Sequence, residues 1–141
     1  MKPEGWRTPE DWSTERLVDL CRPRQWPTLS REDLQPSGYV VFGANGPIGY
    51  YSRYTHEAPT IAITCRGATC GTINTTPARA YISGNAMALD ALDGTKIVLE
   101  FLRAALQYRG LDDVISGSAQ PQITREGLSN VALRLPSLPE Q

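Results

Sequence analysis

The sequence has no run of about 18 apolar residues, the length a membrane-crossing helix requires. Its opening, Met1-Lys2-Pro3-Glu4-Gly5-Trp6, lacks the apolar stretch of a secretory signal. A cytoplasmic chain is expected, and the sequon Asn74-Thr75-Thr76 then carries no weight. Histidine occurs once, at His56, and cysteine three times, at Cys21, Cys65 and Cys70. That set has no zinc-ligand spacing, so no metal site is expected, and the thiols read as small buried groups in a reducing compartment. No Walker lysine and no G-x-G-x-x-G is present. Asp112-Asp113 lacks the companion Glu and Lys of a nuclease centre. The available nucleophile–base combination is Cys65 or Cys70 with His56, which has no clear acid partner. No catalytic residue is assigned on this ground.

Positive charge is also scarce. Lys and Arg number 14 against 15 Asp and Glu, for a net charge of −1. A nucleic-acid binder usually carries an excess of cations for the phosphates. The distribution is uneven, however. Residues 34–89 hold Arg53, Arg66 and Arg79 against Glu57 alone, in a background of Gly, Thr, Tyr and Asn. Such a segment suits specific hydrogen bonding without a large non-specific charge footprint.

What is abundant is punctuation: 11 prolines and 12 glycines in 141 residues cut the chain into short elements, with no internal repeat and no low-complexity linker. The length fits one domain with a real core, over residues 1–141. Ser13-Thr14 followed by Leu17, Val18, Leu20 and Cys21 and then Pro23 predicts a short N-terminal helix of two or three turns. Trp6, Trp12 and Trp26 flank it as core anchors. Strands are predicted at Tyr39–Phe42, Ile48–Tyr51, Thr60–Thr64, Gly71–Asn74, Ala80–Ile82, Ala86–Leu89 and Val131–Leu135, with a turn at Asn45-Gly46-Pro47. Ile97, Val98, Phe101, Leu102, Ala105 and Leu106 recur at helical spacing after Thr95, a candidate cap, and before Gly110, a stop. The fold class is therefore α+β: a short-stranded, curved or barrel-like sheet carrying one packed amphipathic helix and a short N-terminal helix.

Two glycine-punctuated segments stand out: Gly43-Ala44-Asn45-Gly46-Pro47-Ile48-Gly49-Tyr50-Tyr51, and Arg66-Gly67 with Cys70-Gly71-Thr72-Ile73. Each alone reads first as a tight bend. They are followed by Gly84-Asn85-Ala86-Met87, by Ile115–Ile123 with Gln120 and Gln122, and by Leu135-Pro136-Ser137-Leu138-Pro139-Glu140-Gln141. They are preceded by Gly5-Trp6 and Leu17-Val18-Asp19-Leu20. This ordered set, over nearly the whole chain, resembles the target recognition domain of the specificity subunit of Type I restriction-modification systems. In that family the Leu-Pro-x-Leu-x-Glu-Gln element opens a long connector helix, which is expected after residue 141 and is absent from this sequence.

The resemblance implies a domain that reads one half of a bipartite site in double-stranded DNA. It implies no cofactor and no catalysis in this chain. The implied partners are methyltransferase subunits using S-adenosylmethionine and restriction subunits using ATP and Mg, with no membrane. The alternatives are a stand-alone half-subunit or regulatory interaction protein of a restriction system, and a small cysteine-dependent hydrolase. Side-chain chemistry nominates the readers. Arg53, Arg66 and Arg79 can donate two bonds to guanine, and Asn74, Gln120 and Gln122 can bond adenine in both directions. Tyr50, Tyr51, Tyr54, Thr69 and Thr72 suit phosphates or thymine methyls. Each also has a plain structural reading: the tyrosines as half-buried strand positions, Arg79 as a solvated charge, Asn45 and Asn85 as turn residues.

Overall fold

The computed structural model describes residues 12–117 and 119–141. The expected landmarks at Gly5 and Trp6 lie outside the described residues. Strand β1 (Ser13–Arg16) leads into α1 (Leu17–Leu20), followed by β2 (Arg22–Arg24), β3 (Tyr39–Gly43), β4 (Gly46–Tyr51), β5 (Ile61–Thr64), β6 (Ile73–Thr75), β7 (Tyr81–Ile82) and β8 (Ala86–Asp90). Then come α2 (Leu99–Arg109), α3 (Arg125–Leu128) and β9 (Ala132–Leu135), with 3-10 turns at Arg31–Asp33, Asp112–Val114 and Leu138–Glu140. No helix among the described residues is long and apolar enough to cross a membrane.

The N-terminal helix is a single turn, shorter than its caps suggest. Ser13 and Thr14 do not cap it. They pair in β1 with Leu135 and Arg134 of β9, antiparallel. The Leu17 N–H also bonds to the Val131 carbonyl at 2.9 Å. Tertiary pairing with a segment from the far end of the chain has overridden local cap propensity, which is worth only about 1 kcal/mol. Pro23 sits inside β2, where it is tolerated because β2 is the edge of its sheet and one side of it needs no donor.

Three open sheets form, and no barrel closes among the described residues: β1-β9, β2-β8-β5-β6 and β4-β3-β7. The chain changes sheet at several connections, among them the one from β7 to β8. There Ser83 turns back, its N–H on Phe42 and its carbonyl accepting from Ala86. The chain therefore moves from one sheet to the next instead of continuing the ladder. The mixed α+β class stands.

Alternation along β5 explains how the layers stack. Ile61 and Ile63 enter the main core with Met87, Leu89, Leu102 and Leu106, whereas Ala62 faces a second small cluster with Ile82, Ala86 and Ala88. In register, Ile63 pairs with Met87 and Ala62 with Ala88. One face is thus bulky and takes α2. The other is lined by alanines and lets the β4-β3-β7 sheet approach. Leu102 and Leu106 of α2 are fully buried, each contributing roughly 1.5–3 kcal/mol.

Helix α2 ends as predicted, at Gly110 with φ 75° and its N–H on the Leu106 carbonyl. Its start is two residues beyond the sequence expectation, Ile97. Thr95 caps nothing; its N–H and hydroxyl both donate to the Asp93 carboxylate in a tight turn. The cap is supplied from the other end of the chain, where Gln141 Oε1 accepts from the Val98 N–H at 2.8 Å. Its Nε2 donates to the Lys96 carbonyl at 2.8 Å. Helix α3, capped by Thr124 Oγ1 accepting from the Gly127 N–H, lies in a stretch where the sequence predicted no element.

Candidate nucleic-acid interface

Three loops converge on one edge of the molecule. The first is the β3–β4 hairpin tip, in which Gly43 pairs with Gly46 across Ala44-Asn45. Gly46 takes φ 86°, while Ala44 and Asn45 keep negative φ. The turn is therefore type I followed by a glycine bulge. The second is the bend 65–72 between β5 and β6. The third is the loop 115–123.

These loops are stitched together by short hydrogen bonds. The Ala44 carbonyl accepts two hydroxyls, Thr64 Oγ1 at 2.6 Å and Thr69 Oγ1 at 2.9 Å. The Gly67 N–H donates to the Pro121 carbonyl at 3.0 Å, and the Ile123 N–H donates to the Cys65 carbonyl at 2.9 Å. Arg66 and Gln122 bridge each other through their backbones, and Gln122 and Ser116 exchange bonds of 2.8 Å in both directions. Arg66, Thr69, Thr72 and Gln122 are thereby gathered into one rim, with Gln120 two residues away and Asn74 following on edge strand β6. The hydroxyl protons of Thr69 and Thr72 are spent internally, Thr72 on the Thr69 carbonyl at 2.7 Å. The side chains of Arg66, Gln120 and Gln122 are exposed, and none enters a side-chain hydrogen bond or ion pair among the described residues.

The remaining nominees lie elsewhere, on the three-stranded sheet and the segment after it. Tyr50 and Tyr51 are on β4, with Tyr51 opposite Tyr39. Tyr54 packs edge-on against Tyr39, with ring centroids 4.9 Å apart. Tyr51 packs likewise against Tyr81 at 5.5 Å. Tyr54 and Arg79 converge on Glu57. The Arg79 Nε lies 3.4 Å from the Glu57 carboxylate, and the bonds from Tyr54 and then Arg79 hold that carboxyl below its usual range. Arg79 sits at φ 59°, fixed by its N–H on the Glu57 carbonyl at 3.1 Å. Arg79 is therefore neutralised as well as solvated. Arg53 is exposed and has no ion pair among the described residues.

A polar node fastens this second region to the core. His56 Nε2 donates to Asp90 Oδ1 at 2.6 Å, and Trp26 Nε1 donates to Asp90 Oδ2 at 3.0 Å. The other ring nitrogen of His56 meets Thr55 Oγ1, which also accepts from the Ile82 N–H at 3.0 Å. The Arg24 guanidinium lies 3.8 Å over the Trp26 ring, a cation–π contact. Trp26 is thus an anchor through its indole N–H as much as through burial, and Trp12 packs half-buried against Phe101.

The same node removes the cysteine–histidine pairing. His56 is engaged by Asp90 and Thr55, not by a thiol. Cys65 is fully buried, with its Sγ on the Gly84 carbonyl and the Gln25 amide. Burial raises the Cys65 and Cys70 thiols and pushes Cys21 up to about 12, with Asp90 adding to it. A raised thiol is a poor nucleophile because the thiolate is the reactive form.

The family model for the Type I restriction modification DNA specificity domain matches residues 9–141. The Escherichia coli "Type I restriction enzyme EcoprrI specificity subunit" is 29% identical over 103 residues, covering 73% of this chain and 25% of that subunit. The S subunit of the Type I restriction-modification system of M. genitalium superposes with a TM-score of 0.76 at 18% identity, over 92% of this chain and 36% of that one. A chain solved for the complex assembly and conformational transition of the type I R-M system gives 0.72 at 22% identity, over 97% and 37%. The HsdS subunit of Thermoanaerobacter tengcongensis gives 0.68 at 23%, over 98% and 36%. The structural likenesses establish a shared fold. The chain spans a quarter to little over a third of the length of these relatives.

Proposed function

The chain belongs to the Type I restriction modification DNA specificity family, and on that premise we propose that it reads one half of a bipartite target in double-stranded DNA and has no catalytic part of its own. Direction of methylation or cleavage would fall to partner subunits. Those are a methyltransferase using S-adenosylmethionine and a restriction subunit using ATP and Mg. The rim carries this reading. Three loops are held rigid by main-chain and threonine bonds, while the side chains of Arg66 and Gln122 that project from them are left without internal partners. A rigid backbone with uncommitted bidentate donors is what base recognition requires.

On this proposal Arg66, Gln120, Gln122 and Asn74 face base edges. Tyr50, Tyr51, Arg53 and Tyr54 serve phosphates, with Arg79 restrained by Glu57. Near-neutral net charge fits a module whose non-specific grip on DNA is shared with its partners. The test is selection of bound duplexes from a random library at fixed salt, with the chain alone and with a methyltransferase partner. Enrichment of a short defined motif is expected. Recovery of no motif in either arrangement sinks the reading.

A further inference from the structure

Asn45 sits where an asparagine ordinarily explains itself as a turn residue, by taking the left-handed backbone or bonding its own main chain. It does neither. Gly46 takes the positive φ of the turn, and the exposed Asn45 carboxamide has no hydrogen bond among the described residues. The turn therefore does not need this side chain.

The backbone beneath Asn45 is, by contrast, heavily restrained. The carbonyl of its neighbour Ala44 accepts from Thr64 Oγ1 and Thr69 Oγ1 at 2.6 and 2.9 Å. Thr64 is fully buried and Thr69 half-buried, so these bonds are partly shielded from competing water. They tie the hairpin tip to the bend that carries Arg66. A free carboxamide on an immobilised tip, with a free guanidinium on the bend to which that tip is tied, has the form of a recognition element. We propose that Asn45 is a specificity-determining residue that reads an adenine through its carboxamide, with Thr64 and Thr69 as the positioning residues that hold it in register with Arg66. The inference rests on the DNA-reading function proposed above.

The chemistry makes the proposal testable at one base pair. A carboxamide can accept from adenine N6 and donate to N7. Asn45→Ala keeps an ordinary backbone conformation available, since the positive φ belongs to Gly46. It should therefore fold with an unchanged melting temperature. In duplex selection it should lose preference at one position by roughly 5- to 150-fold, leaving the other positions intact. Replacing that adenine by 7-deazaadenine, which lacks the N7 acceptor, should weaken the wild-type chain but not Asn45→Ala. Thr69→Val should blur the same position, and Thr69→Ser, which keeps the hydroxyl, should restore it; a purely structural threonine would not produce base-specific loss and rescue. If the wild-type chain enriches a motif that Asn45→Ala reads unchanged, the assignment of Asn45 is overturned alone. If the wild-type chain enriches nothing, the DNA-reading function is overturned and this inference falls with it.

Discussion

The loop rim and the tyrosine–arginine surface are built from similar residues in opposite ways. On the rim the backbone is committed and the long side chains are free. Ala44, Cys65, Gly67, Pro121 and Gln122 are all in main-chain or threonine bonds, while Asn45, Arg66 and Gln122 project without partners. On the three-stranded sheet and the segments beside it, all but Arg53 and Tyr50 of these side chains are committed to one another: Tyr39 to Tyr54, Tyr51 to Tyr81, and Tyr54 and Arg79 to Glu57. A side chain already paired must give up that partner to take a base, whereas a free one loses only water. On the proposed function, the difference separates a surface suited to discrimination from one suited to docking.

The sharpest way to break the comparison is to remove the fastening of one region and ask whether the other notices. His56→Ala strips one hydrogen bond from the Asp90 carboxylate, which is 17% exposed, and leaves it on Trp26 alone. The expected cost is about 2 kcal/mol of stability, measured by denaturant unfolding. Because His56 supports the segment carrying Arg53 and Tyr54, general affinity for duplexes should fall while the selected motif stays the same. A changed motif would show that the two surfaces are one.

Next in size, Arg66→Ala should lower discrimination at a single base pair by about tenfold while barely altering affinity for unrelated duplexes. Arg53→Ala should do the reverse. All sequences should weaken together by a few-fold, and the slope of log affinity against log salt should shrink by about one. The pair of variants, compared in salt titrations on selected and scrambled duplexes, would erase the distinction if their effects were interchangeable.

The division was only partly legible in the sequence. The Ile61–Thr64 strand and the end of α2 at Gly110 follow from local chemistry, and so do the loops that carry Arg66 and Gln122. The hairpin was legible too, but its turn falls at Ala44-Asn45 and not at Asn45-Gly46-Pro47, because Gly46 and Pro47 pair with Gly43 and Phe42 in β4. Features decided by distant partners were not legible. Ser13-Thr14 carried the mark of a cap and became a strand because Leu135 and Arg134 offered a ladder more than a hundred residues away. Thr95 spends its hydroxyl on the Asp93 carboxylate, and Gln141 supplies the cap of α2 instead. Arg53, Arg66 and Arg79 read alike in sequence. Only the fold puts Glu57 beside Arg79 and leaves the other two unpaired. Thr69, read as a candidate donor, turned out to spend its proton on Ala44, a partner 25 residues away in sequence that no local pattern announces.

The smallest expected effect concerns how the rim is launched from α2. Arg109 at the end of that helix holds Asp113 with two bonds, Nη1 at 3.0 Å and Nη2 at 2.8 Å, just before the loop that carries Gln120 and Gln122. The guanidinium keeps the Asp113 carboxyl below its ordinary value of 3.8 in the folded chain. A carboxyl depressed on folding stabilises the native state fully above its unfolded value, and loses that contribution as pH falls through the folded one. Asp113 is 64% exposed, so solvent and salt screen the pair, and its worth is below about 0.5 kcal/mol. Asp113→Asn should therefore be marginally less stable than the parent chain at neutral pH, the gap closing as acid protonates the parent's Asp113 and narrowing also in high salt. Its selected motif should be unchanged, because the loop is fixed by its bonds to 65–72 and not by this surface pair. A shifted motif at Asp113→Asn would mean that the rim takes its geometry from α2. The contrast between a self-supporting reading edge and a separately fastened docking surface would then have to be abandoned.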